Sequence, residues 1–329
     1  KSRAMYRQIA DEVAGVDAAI VRGPAEFGMM AAKAARRAGK PVAIEMSGCA
    51  FDHTWYHGSL IARFYAPLKY LRCRHMVKHA DQVVYVTQYF LQRRYPAKGH
   101  TAVASNVEIT TPAQSVLDKR LHRIEQGSDT LVIGMIGNLG NRLKGFEVAL
   151  AALAQVRDGL PPFELYVLGQ GKWQDWQDTI EHYGMEAHVV LDGTLPGSDS
   201  VLAWLDDLDI YIQPSFHEGL PRAVIEAMSR GLPVLASNAG GTDELLEAQF
   251  IHARGDTGAL AAQLVQVAGD PQQQQQAART NFETAGHYTR DRLQPYRDQF
   301  WARFARLAKG ERDDAVKEPA QNLLYPSTG

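Results

Sequence analysis

The chain has 329 residues, 45% hydrophobic and 22% charged, a length that favours two domains at roughly 100–200 residues each and a composition that excludes collagen-like, wholly disordered and disulfide-scaffold classes. Its 35 Lys and Arg nearly balance 37 Asp and Glu, for a net charge of −2, which argues against nucleic-acid binding through a general basic excess. No run approaches the roughly 18–20 apolar residues of a membrane helix or forms the apolar core of a signal peptide, and Cys49 and Cys73 lack the spacing of a zinc site or disulfide framework, so a reducing cytoplasm is expected.

Residues 1–15 read as a helix, with Tyr6, Ile9 and Val13 at helical spacing. Short apolar runs then alternate with helical-period segments, the pattern of βαβ units on a parallel sheet. Strands are expected at Asp17–Arg22, Pro41–Glu45, Gln82–Thr87 and His100–Ser105, then at Thr130–Ile136, Phe163–Leu168, His188–Asp192, Ile210–Gln213, Pro233–Ser237 and near Phe250–His252. A polar, charged stretch over 110–128 reads as an interdomain connection, and the half after it as a five-stranded α/β unit. Gln272–Gln276 reads as solvated helix surface. A last helix is expected over Arg290–Leu307, followed by a frayed tail.

Between Gly58 and Ala80 the chain carries five Lys or Arg, two His and no acid, interleaved with Leu, Phe and Tyr. Such a basic amphipathic helix suits peripheral contact with an anionic membrane surface; a partly buried helix with an exposed basic edge fits equally well.

The densest information lies in Asp209–Glu244, DIYIQPSFHEGLPRAVIEAMSRGLPVLASNAGGTDE. It reads as strand, loop, helix, strand, with Pro221 at the first helical position and Gly231 and Pro233 ending the helix. The helix starts in a loop at the carboxyl edge of a parallel sheet, where open α/β folds bind ligands. Its first N–H groups, at Gly219–Arg222, suit a phosphate. Val224 and Met228 share one face, and Glu226 points about 200° away from Val224, off the core face and free to bind a ligand. Glu218 stands eight positions earlier, at the mouth of the loop.

This Glu-x7-Glu, set in PSFHEGLPRAVIEAMSRGLPVLAS and followed by Gly240, Gly241 and Glu244, closely resembles the family-4 retaining glycosyltransferases of GT-B architecture. The resemblance implies that Glu218 contacts the hydroxyls of the transferred sugar, that Glu226 holds the nucleotide ribose, and that Gly219, Leu220 and Pro221 face sugar and diphosphate. LVIGMIGNLGNRLKGFEVALAAL is similar to the family's strand, Gly-rich loop and helix with a phosphate-clamping lysine, here Lys144, beside Gly137. Six residues before Lys144, where the family usually has Arg, stands Asn138, and Arg142 is the candidate substitute. FELYVLGQGKW matches the strand and G-x-G turn beside the nucleotide, beginning at Gly169.

The resemblance is looser in the first half. Asn106 matches an Asn near the interdomain cleft. Many members place a His at the end of the strand read at Pro41–Glu45, whereas this chain has Glu45-Met46-Ser47, with His53 and His57 close by; for these three, cleft and merely structural roles both stand open.

The resemblance thus implies two Rossmann-like, doubly wound parallel-sheet domains facing a cleft. Residues 1–112 form the acceptor side, 113–128 the connection, 129–289 the nucleotide-sugar domain, 290–310 a helix packing back across the domains, and 311–329 a tail. With four strand-like runs before the connection, the first domain reads as incomplete, lacking its first βα units. The implied reaction is metal-independent, retaining transfer of a hexosyl group from a nucleoside diphosphate sugar, with no further cofactor, to a glycan or lipid-linked glycan hydroxyl. A nucleotide-sugar epimerase of the same fold and a non-catalytic nucleotide-sugar-binding scaffold are the alternatives. A dehydrogenase fits poorly, because no G-x-G-x-x-G follows the first strand.

Overall fold

The computed structural model describes residues 2–107 and 109–311, so the expected tail falls almost wholly outside the described residues. The chain divides into two compact units, one holding residues 1–106 and 290–329, the other 107–289. Among the described residues, ten strands form two wholly parallel sheets.

The first unit opens with the helix Ser2–Ala14. Its four strands, β1 (Ala19–Gly23), β2 (Val42–Met46), β3 (Gln82–Tyr85) and β4 (His100–Val103), lie side by side in chain order. Central strands β2 and β3 are buried along their whole length, as near-continuous apolar runs covered on both faces must be. The helix Leu60–Lys78 carries Pro67 in its interior. The last helix, Arg290–Ala308, belongs to this unit, where Phe300 packs with Val84 and Ala104. Among the described residues no helix is long and apolar enough to cross a membrane.

The second unit holds β5 (Leu131–Ile136), β6 (Phe163–Leu168), β7 (Val189–Gly193), β8 (Ile210–Gln213), β9 (Val234–Ser237) and β10 (Ile251–His252) in the order β10-β9-β8-β5-β6-β7. These correspond one by one to the six runs expected after residue 128, so the reading of a five-stranded unit is one strand short; the two residues of β10 form a short edge on β9. The order runs outward in both directions from β5 and β8, and the crevice between their carboxyl ends is the topological switch point of a doubly wound sheet. The helix Phe146–Val156 buries Phe146, Ala149, Leu150 and Leu153 against the sheet core.

The stretch expected as a connection is instead structured, with a helix over Gln114–Gln126. Leu117 and Ile124 pack on Ala278, while buried Arg120 donates to the carbonyls of Leu205, Asp206, Leu208 and Arg230. These include the last carbonyls of the helix Gly197–Asp206, which lack intrahelical partners and favour a cation. Burial pushes the Arg120 guanidinium down to about 10. Arg123 adds an ion pair to Asp209 at 2.7 Å. The glutamine run lies in the helix Pro271–Ala285, which Asp270 caps by accepting from the Gln273 N–H.

Loops at the carboxyl edge of this sheet interlock through their backbones. Gly137 N–H donates to Leu168 O at 2.9 Å, Leu139 N–H to Gln170 O at 2.7 Å, Phe216 N–H to Leu143 O at 2.8 Å and Gly241 N–H to Gly219 O at 2.7 Å. One of the tightest approaches is at Gly145, with φ +73°, where a Cβ would lie 1.9 Å from Pro214 O. A side chain would force apart the loops after β5 and β8. Gly145→Ala should therefore destabilise the chain by about 2–4 kcal/mol in urea denaturation. Gly159→Ala, where a Cβ meets nothing within 4 Å, should stay within about 0.5 kcal/mol of wild type; equal effects would contradict the interlock.

Candidate functional site

Strand β8 reads Ile-Tyr-Ile-Gln, and its side chains alternate between the two faces of the sheet. Tyr211 and Gln213 therefore lie on one side, and Ser215 follows in the loop. Their polar atoms connect. Tyr211 accepts from the Ile136 N–H at the end of β5 at 3.2 Å and donates to Gln213 Oε1. That bond fixes the amide so that Gln213 Nε2 donates to Ser215 Oγ at 2.7 Å and to Glu218 Oε1 at 3.2 Å. Ser215 Oγ then donates to the same Glu218 oxygen at 2.7 Å.

Glu218 is 8% exposed, and a buried carboxylate must be paired and hydrogen-bonded to remain charged. The paired cation is Lys144, whose Nζ donates to Glu218 Oε1 at 2.7 Å. Lys144 closes a single 3-10 turn, Arg142–Lys144, capped by the Asn141 side chain on Leu143 N–H. Gly145 then reverses the backbone so that the helix can start at Phe146. The two catalytic candidates thus meet at the switch point, 74 positions apart in sequence. All three donors fall on Oε1, which leaves Oε2 with no hydrogen bond among the described residues. The Tyr211 phenol is raised well above its ordinary range by burial, and so remains a donor.

The loop after β8 leads into the helix Arg222–Met228. Pro221 occupies the position just before the first helical residue rather than the first itself, and costs no hydrogen bond there. Leu220 and Pro221 are buried and Gly219 is half-buried. The Gly219 carbonyl is covered by Gly240 and Gly241: a Cβ on Gly240 would lie 2.3 Å from it. Glu226 is off the core face, as its spacing implies, but is not free, because Arg222 Nη2 lies 3.4 Å from its Oε1. Its carboxyl is pushed up by burial, with Arg222 opposing that shift.

Arg142, expected at the diphosphate, pairs with Glu147 at 2.8 Å and lies over the Trp176 ring at 5.9 Å. Asn138 is exposed and shapes the turn after β5, its Oδ1 accepting from Gly140 N–H at 2.7 Å. Gly137 and Gly169 form the close contact between the loops after β5 and β6, where a Cβ on Gly169 would sit 1.8 Å from Gly137 O. The sequence reading missed Gln213, Ser215 and Tyr211, although two polar residues two apart in an otherwise apolar strand were a usable signal.

The remaining candidates lie in the first unit. Glu45, buried on β2, is clamped by Arg22 of β1 at 3.0 Å and Arg297 of the last helix at 3.0 Å. Two guanidinium groups on one carboxylate join that helix to the sheet. His53 lies on the helix Ala50–Trp55, its imidazole pKa lowered by burial and then by Lys69 and His57. The ring of exposed His57 is 6.2 Å away. Asn106 is half-buried, just beyond β4. Among the described residues, no group of three or more His, Cys, Asp or Glu could hold a metal ion.

Residues 130–270 match the sequence profile of the glycosyl transferases group 1. The matched stretch contains Lys144, Glu218 and Glu226 and ends within the second unit. Over 253 residues the chain is 30% identical to protein CapJ of Staphylococcus aureus, covering 76% of this chain and 62% of the relative. Over 131 residues it is 37% identical to the putative colanic acid biosynthesis glycosyltransferase WcaL of Escherichia coli, covering 37% and 32% respectively. The chain thus spans under two-thirds of CapJ and about a third of WcaL. Among solved structures, Anabaena HepE in complex with UDP and glucose matches with TM-score 0.66 at 20% identity, covering 91% of this chain and 80% of that one. Sucrose-phosphate synthase of Thermosynechococcus elongatus matches with TM-score 0.65 at 17% identity, covering 93% and 78%. These likenesses establish the GT-B-like fold, two Rossmann-like parallel-sheet units.

The Tyr211 hydroxyl satisfies two otherwise buried groups. Tyr211→Phe should cost about 1–3 kcal/mol of stability, read by chemical denaturation; a variant as stable as wild type would mean that the network does not fix Gln213.

Proposed function

We propose that the chain moves a hexosyl group from a nucleoside diphosphate sugar to a hydroxyl of a glycan or lipid-linked glycan, with retention at the anomeric carbon and without a metal ion, in polysaccharide or glycoconjugate biosynthesis. Donor binding is assigned to the second unit and acceptor binding to the first, in the cytoplasm. One observation carries the reading: a buried carboxylate and a lysine converge where the strand order reverses, at the ligand-binding edge of a doubly wound sheet. Support also comes from relatives named as glycosyltransferases and from neighbours solved with UDP and glucose or UDP-glucose.

Glu218, its Oε1 occupied by protein donors, turns Oε2 to a sugar hydroxyl. Backbone groups at Gly219, Leu220 and Pro221 line sugar and diphosphate, and Glu226 accepts from the ribose hydroxyls. Lys144 leaves Glu218 when the donor binds and meets the diphosphate, its stem long enough to swing between two anions within the same cleft. As the anomeric C–O bond to phosphate breaks, negative charge grows on the leaving oxygen, and a preorganised cation is worth most at that moment. The acceptor oxygen forms the new bond, and its proton passes to the departing phosphate.

A panel of UDP-, GDP- and ADP-sugars should raise the melting temperature for one base, since ligand bound to the native state stabilises it; transfer to an added glycan, with the product anomer fixed by NMR, then distinguishes a transferase from an epimerase or scaffold. Lys144→Ala should lower kcat by about 10²–10³, as loss of one preorganised donor does, with a smaller change in donor affinity; an unaltered kcat would remove it from the leaving-group role. Glu226 holds ribose only when ionised, and burial raises its pKa. Donor affinity should therefore fall as pH drops through that raised value, above the range of an exposed glutamate, and Glu226→Gln should flatten the profile. A pH-independent wild-type affinity would contradict the ribose role.

A further inference from the structure

The helix Leu60–Lys78 buries one side and exposes the other in an unusual way. Ala66, Cys73, Met76 and Val77 face the interior, while Leu60, Ile61, Phe64, Leu68 and Leu71 are all exposed, Ile61 by 82% and Phe64 by 87%. At 100° per residue the five exposed side chains fall within an arc of about 100°. They form one stripe of large apolar groups in water, which a soluble surface rarely carries without a partner. Pro67 and Leu71 at its edge also line an open recess of about 300 Å³ with Phe51, Tyr70 and Arg94.

Cations border this stripe. Arg63 and Arg74 lie along one margin, Arg72 along the other, and Lys78 continues the stripe's own line toward the carboxyl end. The segment 58–80 contains no acidic residue. Arg72 is neutralised by Glu26 at 3.0 Å, but Arg63, Arg74 and Lys78 form no ion pair among the described residues. The stripe therefore combines exposed Leu, Ile and Phe with unneutralised positive charge at its rim.

We propose that this helix face docks on an anionic lipid bilayer, lying in the interfacial plane with Leu60, Ile61, Phe64, Leu68 and Leu71 in the acyl boundary and Arg63, Arg74 and Lys78 among the headgroup phosphates. Long basic side chains reach outward from such a position while their stems stay apolar. Charge selects this occupant over a second copy of the chain, since two such faces pressed together would oppose their own cations. The surface lies wholly in the first unit and is independent of the donor-site reading, so the failure of either leaves the other standing.

The test is co-sedimentation of the full chain with phosphatidylcholine vesicles, with and without phosphatidylglycerol. Binding is expected on the anionic vesicles, weakened about tenfold or more by Ile61→Ser with Phe64→Ser, and likewise by Arg63→Glu with Arg74→Glu. Raising the salt to about 1 M, where the screening length falls to about 3 Å, should weaken it too. All four positions are exposed, so melting temperatures should match wild type. Equal binding to neutral vesicles, no binding to either, or binding indifferent to both double variants overturns the proposal. So does sedimentation velocity showing a dimer that Ile61→Ser with Phe64→Ser dissociates.

Discussion

Keeping Glu218 charged at the buried edge of a parallel sheet is the constraint on which the site depends. Three donors converge on one of its oxygens, from Lys144, Ser215 and Gln213. Each requires something more distant. Gln213 presents its amide correctly because Tyr211 holds the other end, and Tyr211 is held in turn by the backbone of β5. Lys144 reaches the carboxylate because the chain turns at a glycine packed on Pro214. Polar networks of this kind are rigid when every member is satisfied and costly when one is not, which explains why so much of the local sequence is committed to one side chain.

The proposed donor role draws on the same arrangement. Lys144 pairs with Glu218 at 2.7 Å, and on the proposed reading it is the cation that passes to the diphosphate of the donor. Saturating Oε1 alone leaves the second oxygen to a ligand. A little farther along, Glu226 is paired only at long range by Arg222, a contact that on the proposed reading gives way to the ribose.

Period and punctuation made most of the fold legible: every strand begins and ends within two residues of its expected place. Fold-level errors came where burial and polarity conflict. The run from Asp118 to Gln126 looks like linker because it is charged, yet Leu117, Leu121 and Ile124 at helical spacing pack it down while Arg120 spends its charge on helix-end carbonyls. For the site, Glu218 and Lys144 were legible as a motif, but their ion pair was not, because it depends on two loops meeting across the switch point. Glu45 was legible only in part. Its sequence left cleft and structural roles open, and only the fold reveals that Arg297, 252 positions later, helps to clamp it.

A crystal structure with an intact nucleoside diphosphate sugar bound would test the central claim most directly. The account predicts the sugar against Glu218 Oε2, the ribose on Glu226, and Lys144 Nζ moved from Glu218 to the diphosphate. A donor bound away from the carboxyl ends of β5 and β8, or a Lys144–Glu218 pair unchanged beside a bound diphosphate, would contradict it.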